Sequence, residues 1–203
     1  MDVSSYIYQK AKSIEHLYYR WITIVLYKPF FQSMGKKCII VSPIKLTPDT
    51  IYLGENVRIF KFARIEGVRS YEGIKFNPSI VLEDNVFIQQ NLHLTCANRI
   101  KIGANTAIAP NVTITDIHHP HEDISQPPEL QKLEYLDVEI GSNCKIYNNA
   151  VILPGVKLGH HNIVAANTVV LKGEYPDYCV IGGIPGKVLK QYDESKGIWV
   201  KPE

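Results

Sequence analysis

From Leu53 onward an aliphatic side chain recurs at every sixth position. Leu53, Ile59 and Ile65 form one set, Leu82, Ile88 and Leu94 a second, and Ile102, Ile108 and Ile114 a third. After an interruption come Ile140, Ile146, Ile152, Leu158, Val164 and Val170. Four positions after most of these stands a small or β-branched residue, as at Val57, Ala63, Val86, Thr106, Val112 and Ala150; Leu92 and Asn162 depart from the rule. A second signature marks every third repeat: IYLG (51–54), IVLE (80–83), IKIG (100–103), VEIG (138–141) and VKLG (156–159). Their key residues Leu53, Leu82, Ile102, Ile140 and Leu158 lie 29, 20, 38 and 18 positions apart. An 18-residue coil of three short strands then leaves insertions of 11, 2, 20 and 0 residues between coils.

Six residues are too few for a helical hairpin but enough for a short strand and a turn. One such strand cannot bury its apolar side, whereas stacked coils build a continuous interior of aliphatic ladders. The pattern therefore predicts a parallel β-helix. A sandwich of evenly spaced strands is the alternative, and five sets of three in register argue against it. Gly54, Gly103, Gly141 and Gly159, with Asn56, Asn85, Asn105 and Asn143, are expected at the corners, where positive φ is needed.

The flanks do not carry the repeat. Ile7, Ala11, Ile14, Tyr18, Trp21 and Val25 follow steps of four and three, the pattern of an amphipathic helix, which Lys28-Pro29 ends. That helix is expected to pack on the β-helix or a neighbouring subunit. Its lysines, tyrosines and Trp21 leave peripheral contact with an anionic membrane as the alternative. Three segments follow: 1–38 helical, 39–173 β-helical with a loop at 115–137, and 174–203 a loop, short helix and tail. The first coil, over 39–51, is expected to be irregular, and the C-terminal helix is placed near Lys187–Tyr192.

Composition narrows the setting. At 203 residues the chain fits one domain with a real core. A formal charge of +2 gives no general affinity for nucleic acid. Cys38, Cys96, Cys144 and Cys179 are far apart, which fits reduced, packed thiols. Met1–Lys10 lacks the features of a secretory signal and WITIVLY (21–27) is too short to span a bilayer, so a cytoplasmic protein is expected, with the membrane's inner face as a peripheral site.

The 20-residue insertion begins with TDIHHPHED (115–123), which holds three of the seven histidines. A metal site, a proton-transfer site and a polar loop are all compatible with that cluster alone. Neighbouring histidines rarely point at one zinc ion, which needs its protein ligands converging at about 2.0–2.1 Å, so no metal is expected.

IKIGANTAIAPNVTITDIHHP (100–120) resembles the segment leading to the catalytic histidine of the hexapeptide-repeat acyltransferases. VEIGSNCKIYNNAVILPGVKLGHHNIVAANTVVLKGEYPDYCVIGGIPGKVLK (138–190) is similar to their coenzyme A half. The resemblance spans about residues 39–192 and is closest to bacterial sugar and glycan O-acetyltransferases, including galactoside and maltose acetyltransferases and enzymes of surface-polysaccharide and lipopolysaccharide pathways. It implies an all-β, left-handed parallel β-helix that works as a homotrimer with active sites between subunits. The hand rests on the resemblance alone, since parallel crossovers are usually right-handed.

The resemblance also implies roles. His119, just before Pro120, would take the proton from an acceptor hydroxyl as its oxygen attacks the thioester carbonyl of acetyl-CoA. Imidazole, with an unperturbed pKa of about 6.5, suits that task. Such a base typically contributes about 10²- to 10⁴-fold, and holding both substrates together supplies more. Asp116, three residues earlier, would orient the imidazole or receive the sugar. Asn148, Ala166, Leu171, Lys172, Lys187 and Lys190 match positions of the coenzyme A slot, the lysines as point charges for phosphate. Relatives carry Asn and Asp upstream of the base; Gln89 and Ala97 stand in those places here, which leaves the acceptor open. Tyr71, Gln89, Asn91, His93 and His118 are the candidate acceptor contacts. An antibiotic or amino-sugar amine as acceptor, a zinc enzyme of the γ-carbonic anhydrase kind, and a non-catalytic scaffold are the competing readings.

Overall fold

The structure, a computed structural model, describes residues 2–201. Met1, Pro202 and Glu203, at the ends of the first and last predicted segments, lie outside the described residues. The six-residue period builds a three-sided parallel β-helix whose sides are sheets of seven, nine and six strands. On the first side Leu53 pairs with Leu82, Leu82 with Ile102, Ile102 with Ile140 and Ile140 with Leu158. On the second, Ile59, Ile88, Ile108, Ile146 and Val164 stack in the same way. On the third stand Ile65, Leu94, Ile114, Ile152 and Val170. The uneven separations in sequence are therefore a single register in space. All fifteen side chains are at most 3% exposed, each worth about 1.5–3 kcal/mol of burial. The four cysteines are free and buried in this interior, where burial pushes their thiols up, Cys144 to about 11.

Four expectations need correction. The first coil is regular and starts earlier than expected: Ser33–Met34, Ile39–Ile40 and Lys45–Leu46 pair with the next coil through Met34–Leu53, Ile40–Ile59 and Leu46–Ile65. Its offset is 19 residues because Pro48–Thr50 forms a 3-10 turn before the next strand, which hides the period. The C-terminal helix is a strand, Lys187–Asp193, antiparallel to both Cys179–Gly182 and Ile198–Val200. The last parallel strand would otherwise expose its edge, and the reversing chain covers it.

Gly54, Gly103, Gly141 and Gly159 are not the residues with positive φ. The left-handed positions lie two residues on, at Asn56, Asn85, Asn105 and Asn143 (φ 55–58°). The glycines are required by space: a Cβ on Gly103 would stand 2.5 Å from Ser142 N, and one on Gly141 2.5 Å from Gly159 O. Finally, helix α1 (Val3–Ile22), extended by a π turn (Thr23–Tyr27) and a 3-10 turn (Lys28–Phe30), does not lay its apolar stripe on the coils. Glu15, Tyr19 and Thr23 face them: Tyr19 Oη lies 3.0 Å from Ser42 Oγ, and Ile40 N–H donates to Thr23 Oγ1 at 2.8 Å. No helix of the described residues is long and apolar enough to cross a membrane.

Candidate active site

All three insertions leave the coil at the same place, the corner between the third side and the first. Stacked coils in register put them next to one another. The 11-residue insertion is a hairpin, Ser70–Tyr71 against Ile74–Lys75, turned by Glu72 (φ 45°) and Gly73 (φ 77°), the two left-handed residues a tight hairpin requires. The two-residue insertion is Ala97-Asn98. The long insertion leaves through Ile117–His118, turns at Pro128–Leu130, and returns through Glu134–Tyr135, antiparallel to its start.

Side chains join these loops. Tyr71 Oη donates to Glu129, 2.6 Å from its carbonyl and 2.7 Å from Oε2. Phe76 packs edge-on against Tyr135, and Asn98 Nδ2 donates to Asp137 Oδ1 at 2.5 Å. Asp116 ties the long loop to the short one from inside. It is fully buried and accepts the amide N–H groups of Ala97 (2.7 Å), Asn98 (2.8 Å) and Arg99 (3.0 Å). Burial raises its pKa, against the pull of those amides.

Between the loops and the outer surface of the third side lies a groove of about 540 Å³. His119, Tyr71 and Leu133 form its outer wall, and His93, Thr95 and Thr115 its floor. His119 is 41% exposed, its ring edge-on to Tyr71 at 5.4 Å and its Nδ1 4.0 Å from Glu129 Oε2. Glu129 holds the Tyr71 hydroxyl so firmly that its pKa is pushed up to about 12. At the far end Arg64 Nε donates to Glu66 Oε2 at 2.8 Å. Glu66 is raised by burial but held below its ordinary value overall by Lys45 and Arg64. Burial, then the nearby Arg64 charge, lowers His93.

The structure thus brings Tyr71, His93 and His119 together. Asp116 lies beneath them, and its hydrogen bonds run to the backbone of 97–99 and to the Cys96 thiol rather than to the imidazole. Gln89 and Asn91 sit at another corner, and Asn91 (φ 61°) donates to Asn111 Oδ1 at 2.9 Å in a stacked ladder. His118 turns elsewhere: its ligand-capable atoms, with those of His121 and Glu122, fall within 4.8 Å of one another. The three neighbouring histidines therefore do not converge on one point.

The donor-slot candidates lie toward the C-terminal end. Asn148 and Ala166 are exposed at the corner between the second and third sides, one coil apart, where Asn167 N–H donates to Asn148 O. Leu171 and Lys172 continue the corner that carries the histidine loop. Leu136 N–H donates to Asp116 O, Gly155 N–H to Leu136 O, and Gly173 N–H to Gly155 O. Lys187 and Lys190 are exposed on the final hairpin, whose turn docks on the third side through Gly186 N–H to Val169 O at 2.7 Å. Glu129, missed by sequence reading, carries no motif; its only signal is membership of the long insertion.

Residues 137–172 match the family described as "Bacterial transferase hexapeptide (six repeats)". Those residues thus carry the hexapeptide repeat described for that family. Its relatives include the putative lipopolysaccharide biosynthesis O-acetyl transferase WbbJ of Escherichia coli K12. The two are 34% identical over 129 residues, which is 60% of this chain and 65% of WbbJ. The galactoside O-acetyltransferase of the same organism is 29% identical over 120 residues, 59% of this chain and 57% of that one. The chain thus spans less than two thirds of the length of these curated relatives. Among solved structures, the hexapeptide-repeat acetyltransferase VCA0836 of Vibrio cholerae superposes with a TM-score of 0.61 at 21% identity, over 84% of this chain and 76% of that one. The parallel three-sided coils are the fold this chain shares with that hexapeptide-repeat acetyltransferase.

Proposed function

We propose that the protein is an acetyltransferase that moves an acetyl group from acetyl-CoA to a hydroxyl of a sugar or glycan intermediate, with His119 as general base. The observation that carries this reading is the meeting of the insertions at one corner. It aims one imidazole into a groove whose floor runs along the third side toward the C-terminal coils. The relatives named as O-acetyltransferases support the reaction class, and VCA0836 was solved with acetyl-CoA.

The acceptor binds at the polar end, between Tyr71, His93 and the Arg64–Glu66 pair, which offers hydrogen-bond partners to hydroxyls. The floor residue in line with His93 is Thr113 in the next coil and Val151 and Val169 in the two after it. The groove therefore turns apolar toward the C-terminal end, which suits the pantetheine arm. Asn148, Ala166 and Leu171 flank that arm, and Lys172, Lys187 and Lys190 meet its phosphates. As the acceptor oxygen attacks the thioester carbonyl, His119 takes the hydroxyl proton. The tetrahedral intermediate collapses, the C–S bond breaks, and the leaving thiolate takes the proton back from His119 to depart as the thiol. Glu129, beside Nδ1, orients the ring so that Nε2 is the accepting nitrogen. Asp116 anchors the base of the loop. The protein acts as a homotrimer in the cytoplasm, a neighbour's coil closing the open side of each groove.

The test is thiol release from acetyl-CoA across a panel of saccharides, free and nucleotide-linked, beside amine acceptors. Acceptor-dependent release with one class of saccharide is the expected result. Release with amines only, or with none while coenzyme A fails to bind, contradicts the reading.

A further inference from the structure

Helix α1 is amphipathic in the opposite sense to a helix that serves a core. Its inner face is the polar series Glu15, Tyr19 and Thr23, and Glu15 reaches Lys61 of the coils at 3.3 Å. Its outer face carries Ile7 (60% exposed), Ile14 (67%), Leu17 (62%), Tyr18 (56%), Trp21 (57%) and Val25 (46%). Apolar side chains in this number do not stay in water without a partner. Beside the polar contacts of the inner face, the helix and the coils bound a cavity of about 380 Å³ lined by Val41, Phe60 and Phe62.

Charge selects the partner. Residues 3–30, the helix and the two turns that extend it, hold Lys10, Lys12, Arg20 and Lys28 against Glu15, a net of +3, while the whole chain is +2, so the remainder is −1. The basic charge of the molecule is thus concentrated at the apolar helix. Lys10 lies within the stripe, in series with Ile14, Leu17 and Trp21, and Arg20 and Lys28 follow along the same segment. Basic side chains among aliphatic residues, with a tryptophan and tyrosines between them, suit the boundary between lipid headgroups and acyl chains. A second copy of the same positive helix would meet like charge instead.

The geometry points to an anionic lipid surface as the occupant: α1 lies in the membrane interface, about 30 Å long, stripe down, and holds the β-helix against the bilayer. This inference is independent of the acetyl-transfer reading, and its test needs no activity.

The full-length protein is sedimented with vesicles of phosphatidylcholine and with vesicles of phosphatidylcholine and phosphatidylglycerol. Three proteins are compared: wild type, the stripe variant Ile14→Glu/Leu17→Glu/Trp21→Glu, and the charge variant Lys10→Glu/Arg20→Glu/Lys28→Glu. Wild type should bind the anionic vesicles, lose binding in high salt, and leave the zwitterionic ones largely unbound. Either variant should bind roughly tenfold less, with thermal unfolding of the coils unchanged. If the stripe variant loses its helix, the charge variant, whose apolar face is intact, decides. Wild type remaining in the supernatant, or both variants binding as wild type does, overturns the proposal. So does light scattering in which the stripe variant alone drops to a smaller assembly while no protein binds vesicles; that result assigns the stripe to a second copy.

Discussion

The coil turns three corners per repeat, and two of them are built in a way the third is not. At the first, Asn56, Asn85, Asn105 and Asn143 adopt φ of 55–58°; at the second, Asn91, Asn111, Asn149 and Asn167 adopt 57–61°. Their side-chain amides link coil to coil, as in Asn91 to Asn111 to Asn149 to Asn167 at 2.9–3.1 Å. Asparagine tolerates the left-handed conformation and donates to the same residue one coil away. An extra residue at such a corner would break the link to both neighbours. The third corner has no asparagine ladder, and every insertion is there. The insertions that build the candidate site have thus collected where the length of the coil is not locked.

Substitutions on either side sharpen that contrast. The largest stability loss is expected inside the coil. Gly141→Val drives a Cβ against the Gly159 carbonyl and should cost about 3 kcal/mol, read as a lower urea midpoint; a neutral result would contradict the close stacking of the coils at this glycine. Asp116→Asn comes next. It removes an acceptor from the amides of Ala97, Asn98 and Arg99 and should cost about 2–3 kcal/mol. Loss of turnover with unchanged stability would instead give Asp116 a purely chemical role. Asn111→Ala breaks two ladder bonds and strains a φ of 60°, for about 1–2 kcal/mol with turnover preserved. Glu129→Gln, in the exposed loop, should shift stability by less than about 0.5 kcal/mol. It should lower kcat roughly tenfold at constant KM for acetyl-CoA; an unchanged kcat would remove it as the orienting group.

How much was legible follows the same division. The aliphatic positions state their own register because each must enter the one interior, so the pairing from Leu53 to Val170 is legible in the sequence. The lengths of the insertions were equally plain. Their mutual contacts were not, since Tyr71 and Glu129 are 58 positions apart and meet only because two loops share a corner. The resemblance implies that Asp116 orients His119 or receives the sugar, yet a residue at the end of a buried strand points inward by alternation, and its carboxylate meets the backbone instead. The helix pattern located α1 correctly but could not show which way the apolar side faces. A period displaced by one residue concealed the first coil, and the need to cover a sheet edge made a strand of Lys187–Asp193.

One measurement bears most directly on the proposed chemistry. Turnover and coenzyme A affinity are determined together for wild type and His119→Ala, with the acceptor that supports thiol release. Turnover should fall at least about 100-fold while coenzyme A binds as before and the unfolding transition does not move. An alanine variant that turns over at a comparable rate would remove His119 from the reaction and leave the groove without its base.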